Sequence, residues 1–165
     1  MKLKPISKES IPRALDKAER YRLLNEPFLA ESICLDVLAL DPDEQRALTI
    51  YVLVLADQFA AGFEGGAARA RGAIERLKSE YDRLYYRGIV SERRATAILH
   101  RGGFGVISSA WHHIHEAMAA YEKADALQTD DANDDAILRY NTCIRLIETH
   151  RLTKPPPDTD EHPLE

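Results

Sequence analysis

The stretch AWHHIHEAMAAYEKADAL, residues 110–127, gathers His112, His113, His115 and Glu116 within five positions. Imidazoles and carboxylates are metal donors, but a zinc or iron site needs roughly three or four of them converging at about 2.0–2.2 Å. A helix advances about 100° per residue. His112 therefore shares an outer face with His115 or with Glu116. His113 lies at the edge of the stripe Ala110, Ile114, Ala117, Tyr121 and Ala124. One helix can offer two donors together, and the rest must come from elsewhere, His100 being the nearest in sequence. Neither H-E-x-x-H nor a paired Glu-x-x-His pattern is present. The spacing reads first as a scaffold helix with His113 at the core edge. A metal-binding protein or metal-dependent enzyme using His112, His115 and Glu116 is the alternative.

A second set of residues suits recognition rather than catalysis. In YDRLYYRGIVSERR, residues 81–94, Arg83, Arg87 and Arg94 fall at i, i+4 and i+11, with Tyr86 beside them. Guanidinium groups grip carboxylates through paired hydrogen bonds, and tyrosine adds rigid contact area. Arg83, Tyr86, Arg87 and Arg94 are therefore the candidate residues for binding an acidic protein or peptide. The competing account is that these arginines are solvated or paired with acids of neighbouring helices, such as Asp57 or Glu92.

Other chemistry is thin. AGFEGG at 61–66 and RGGFG at 101–105 lack the Lys-Ser/Thr of a phosphate-binding loop and follow no strand. G-x-S-x-G is absent. The acid pairs Asp130/Asp131 and Asp134/Asp135 stand at a helix start, where the dipole favours them. With no nucleophile and base set and no cofactor fingerprint, the chain reads as non-enzymatic and cofactor-free.

The totals fit that reading. The chain has 165 residues, 45% hydrophobic and 30% charged, enough apolar material for one buried core. Its longest apolar run, ALTIYVLVLA at 47–56, is too short to span a membrane, and MKLKPISKES carries no secretory core. Cys34 and Cys143 sit in apolar helical patterns without zinc or disulfide spacing, which predicts reduced thiols in the cytoplasm. The net charge is −5, yet residues 66–101 hold nine Lys/Arg against four acids, a local +5. An acidic protein with one basic segment is expected to bind neither nucleic acid nor membranes.

Apolar residues recur every three or four positions, and hairpin signals are missing, so the fold class is all-α. Punctuation sets the helices. Pro12 opens the first, over 13–25, which carries Leu15, Ala18, Leu23 and Leu24. Asn25 ends it, and Pro27 starts the second, 27–40, with Phe28, Ala30, Ile33, Cys34, Val37 and Leu38 inside. Pro42 breaks the chain, and Asp43 is the expected cap of a central, largely apolar third helix over 44–60. GFEGG at 62–66 is a loop. Helices follow over 67–79 and 80–100, joined near Ser79–Asp82, then over 106–128 and over 134–151, the last capped by Asn133 or Asp134. The Pro-rich acidic tail from 152 to 165 is expected to be disordered.

Residues 14–42 resemble the tetratricopeptide repeat, a helix-turn-helix unit. Ala18 and Tyr21 match its small and aromatic positions, Ala30, Cys34 and Val37 its small, large and small positions, and Pro42 its closing proline. Lys17 departs from the usual leucine. Ala117, Tyr121 and Ala124 repeat the pattern, and Ala70, Ile74 and Leu77 match weakly, with extra residues in the 62–66 loop. RLLNEPFLAESICLDVLALDP and NDDAILRYNTCIRLI also look like a group of uncharacterised bacterial proteins of this class. The resemblance implies a domain over 12–151, a right-handed α-α superhelix of about three helical hairpins plus a C-terminal capping helix. It also implies that first helices line a concave groove, which would place the basic strip of helix five there. The acidic tail, with Asp158, Asp160 and Glu161, is one candidate occupant. A homodimer through the apolar last helix, with Ile137, Leu138, Ile144, Leu146 and Ile147, is another expectation.

Overall fold

A computed structural model describes residues 1–62 and 65–155. The acidic stretch 156–165, including Asp158, Asp160 and Glu161, lies outside the described residues, as do two residues of the 62–66 loop. Among the described residues there are seven α-helices and no strand: α1 Ile11–Leu23, α2 Pro27–Leu40, α3 Gln45–Asp57, α4 Gly66–Ile74, α5 Glu80–Arg101, α6 Val106–Asp125 and α7 Asp135–His150. Short 3-10 turns at Lys8–Ser10 and Phe59–Ala61 precede α1 and follow α3.

Local chemistry explains most of the breaks. Asn25 takes the left-handed conformation (φ 59°), and the N–H of Glu26 reaches back to the Tyr21 carbonyl at 2.9 Å, closing the last turn of α1. Pro27 occupies the first turn of α2, where its missing N–H costs nothing. The cap of α3 is Glu44, not the expected Asp43: the Glu44 carboxylate accepts from the Ala47 N–H, while Asp43 sits within the turn, donating its N–H to Asp41. Ser79 caps α5 by accepting from the Asp82 N–H at 3.1 Å. Asn133 accepts from the Asp135 N–H at 3.0 Å, tying the loop to the start of α7.

Two differences from the sequence expectation have a physical reason. The helix expected over 67–79 ends at Ile74, because Leu77 turns inward and becomes buried. Phe28, expected inside, is exposed, because it stands beside the exposed turn of residues 23–26, which includes Leu23 and Leu24.

The helices enclose two apolar cores. The first fills the space among α1, α2, α3 and α4, with Leu15, Cys34, Leu48, Val52, Leu55 and Ile74 at its centre. As its apolar surface requires, α3 buries eight of its thirteen residues. The second core lies among α5, α6 and α7 and is built from alanines and tyrosines, with Ile114 and Tyr121 central. Helix α5 belongs to both. Val90 and Ala97 join the first core, Ile89 and Ala95 the second, and Tyr86 packs against each. No helix among the described residues is long and apolar enough to cross a membrane.

Candidate functional site

The floor of the site is one stripe of α5. Leu84, Arg87, Ser91 and Arg94 follow one another at spacings of three, four and three residues, which keeps them on one face. Helix α4 forms one wall with Arg71, Ile74 and Glu75, and α6 forms the other with Glu116, Ala120 and Lys123. Together they enclose a furrow of about 530 Å³. Small side chains on floor and wall, Ser91, Ala119 and Ala120, leave it open. The floor is α5, and the walls are α4 and α6, the helices that precede and follow it in the chain.

The furrow is electropositive. Four cations line it against two carboxylates, on a chain whose net charge is −5. One cation is neutralised in place: the Arg87 guanidinium donates to Glu75 across the α4–α5 boundary. The other carboxylate, Glu116, lies 3.3 Å from His113 Nδ1. Burial, followed by the nearby Arg94, lowers the His113 pKa, while Glu116 opposes the shift. Arg71, Arg94 and Lys123, one from each helix, make no salt bridge among the described residues. Unpaired guanidinium and ammonium groups facing one cleft are a ready site for carboxylates.

Of the residues singled out from sequence, Arg87 and Arg94 line this furrow, and Arg83 and Tyr86 do not. Arg83 bends back and donates to the carbonyls of Leu77 at 2.6 Å and Lys78 at 3.1 Å, satisfying the turn after α4. Tyr86 points between the two cores, its ring edge-on to Tyr85 at 5.3 Å, and burial raises its hydroxyl pKa. Asp57, a proposed partner of the basic strip, pairs instead with Arg22 at 2.7 Å and Arg93 at 3.8 Å. Arg71 and Lys123 were not found from sequence. No local pattern marks them, because only packing brings α4 and α6 to the same floor.

The histidines are held apart. His112 Nδ1 lies 3.0 Å from the Ser108 carbonyl, and His115 Nδ1 lies 2.9 Å from the Trp111 carbonyl. A carbonyl only accepts, so in each ring Nδ1 carries the proton. The His115 ring also lies tilted against Trp111, centroids 3.7 Å apart. Glu116 is drawn to His113. Among the described residues, no three His, Cys, Asp or Glu side chains come together as metal donors.

The sequence matches no protein-family model, no curated protein and no solved structure.

Proposed function

We propose that the chain is a non-enzymatic helical interaction module of tetratricopeptide-like architecture, which takes an acidic protein segment into the α4–α5–α6 furrow. The observation that carries this reading is the set of three unpaired cations, Arg71, Arg94 and Lys123, converging from three helices on one open cleft. The architecture is supported by burial at seven of the repeat positions, Ala18, Ala30, Cys34, Val37, Ala117, Tyr121 and Ala124, while Tyr21 is half-buried. Stacked as a right-handed superhelix, such hairpins present long grooves to extended partners. The two cysteines are free and buried, in keeping with a reducing cytoplasmic setting.

The test is direct. A fluorescent octapeptide of alternating Asp and Glu is titrated with the full chain at low salt. Wild type should bind, with affinity falling as salt is raised, because exposed charges are screened. Arg71→Glu with Arg94→Glu should weaken binding at least about tenfold, and the melting temperature should hold, since neither side chain is in an ion pair. Wild-type binding that ignores salt, or that survives the double substitution, would remove the furrow from consideration.

A further inference from the structure

The furrow does not end at Arg94. The same side chain also lines a second, smaller cavity of about 90 Å³, walled by Phe59, Ala67, Ala97 and Ile98, with Arg101 at its rim. On α5 the stripe continues without a change of face, from Arg94 to Ala97, Ile98 and Arg101. On α4 the wall is continuous as well, because Ala67 and Arg71 are four residues apart and lie one turn above the other. The furrow and the small cavity, whose lining is part apolar and part arginine, are therefore neighbours, with Arg94 as the group common to both.

This arrangement rests on the furrow being the binding surface, and it narrows what that surface accepts. We infer that the ligand is an acidic segment carrying a small aliphatic side chain within a residue or two of the carboxylate held by Arg94. The carboxylate meets the Arg94 guanidinium, and the aliphatic group enters the cavity between Phe59, Ala67 and Ile98. Further acids of the segment run toward Arg71 and Lys123.

Size sets the aliphatic preference. A dry cavity of about 150 Å³ admits a benzene ring, and a water-sized unit of liquid takes about 30 Å³. A space of about 90 Å³ therefore suits the side chain of valine, leucine or isoleucine and excludes phenylalanine and tryptophan. A lysine or arginine in the segment would place its charge beside Arg94 and is selected against by repulsion.

The experiment uses the full chain and four labelled octapeptides of Asp and Glu, identical except for one central residue: Leu, Val, Trp or Gly. Anisotropy titrations at low salt should give the Leu and Val peptides at least about tenfold higher affinity than the Gly peptide, with Trp no better than Gly. Ala67→Leu, which fills the cavity from its own wall, should erase the Leu advantage and leave the affinity of the Gly peptide within about twofold. Circular dichroism checks that this variant folds. Equal binding of all four peptides to wild type overturns the inference and leaves the acidic furrow standing. A Leu preference that survives in folded Ala67→Leu also overturns it, since the cavity is then not the source. If no acidic peptide binds at all, the furrow reading falls and this inference falls with it.

Discussion

In the core enclosed by α1 to α4 the buried carboxylate is Glu31, and in the core of α5 to α7 it is Glu92. Each is held by an arginine from another helix. Glu31 of α2 accepts from Arg69 of α4 and from the buried Gln58 amide at 2.6 Å. Glu92 of α5 accepts from Tyr121 of α6 at 2.7 Å and from Arg139 of α7 at 3.1 Å. The settings differ. The Arg69 side chain is 47% exposed, so its charge stays largely in water, whereas Arg139 is 30% exposed and reaches a carboxylate with only 6% exposure. The first core is mainly aliphatic and keeps its ion pair at the rim. The second is alanine and tyrosine around a carboxylate at its centre. A charge placed inside a core can fix the relative position of three helices, but only while every partner is present.

Removing one partner from each network is the sharpest way to expose that difference. Arg139→Ala leaves Glu92 buried with a single donor, and should cost about 3 kcal/mol in urea unfolding, the penalty of a stranded buried charge. Arg69→Ala leaves Glu31 with the Gln58 amide and nearby solvent, and should cost about 1 kcal/mol. Equal losses would mean that the two carboxylates are equally solvated. Between these two in size is Gly88→Ala. A Cβ there would lie 2.4 Å from Cε1 of Tyr121, and the ring cannot swing away without breaking its hydrogen bond to Glu92. Alanine normally gains up to about 1 kcal/mol over glycine in a helix. Here overpacking should win, for a net loss of about 2 kcal/mol, reduced when Tyr121→Phe frees the ring.

The smallest expected difference concerns the thiols. Burial, with Glu31 beside Cys34 and Glu92 beside Cys143, pushes both from the ordinary 9.0 up to about 12. Their folded pKa lies above the unfolded value, so their contribution to stability is complete below pH 9 and is lost as pH rises toward 12. Unfolding midpoints should therefore fall between pH 8 and pH 10.5, with part of that fall removed in Cys34→Ala and in Cys143→Ala. At pH 8, iodoacetamide followed by mass spectrometry should label both cysteines slowly and at the same rate, since thiolate forms only on opening. Labelling of Cys143 more than about tenfold faster would show the second core opening alone.

The helix boundaries were legible because they rest on residues whose backbone chemistry is local. Pro27 cannot continue a helix, Asn25 tolerates the left-handed turn, and Ser79 offers an oxygen to the free N–H groups that follow. What stayed hidden depended on distant partners. Leu77 leaves the helical path because a pocket awaits it, and Arg83 and Tyr86 are drawn off the basic strip by free carbonyls and by two cores. For the same reason the candidate site was half visible. Arg87 and Arg94 follow from the period of α5, whereas Arg71 and Lys123 belong to it only through the packing of α4 and α6.

Because α5 supplies side chains to both apolar interiors, a cut between α4 and α5 would open one of them. A fragment ending before Glu80 would uncover the aliphatic interior where Val90 and Ala97 now sit, and one beginning there would lack the surface that Tyr86 rests on. The helix that forms the bed of the cleft is thus also the keystone, and anything gripping Arg94 takes hold of the whole molecule at once.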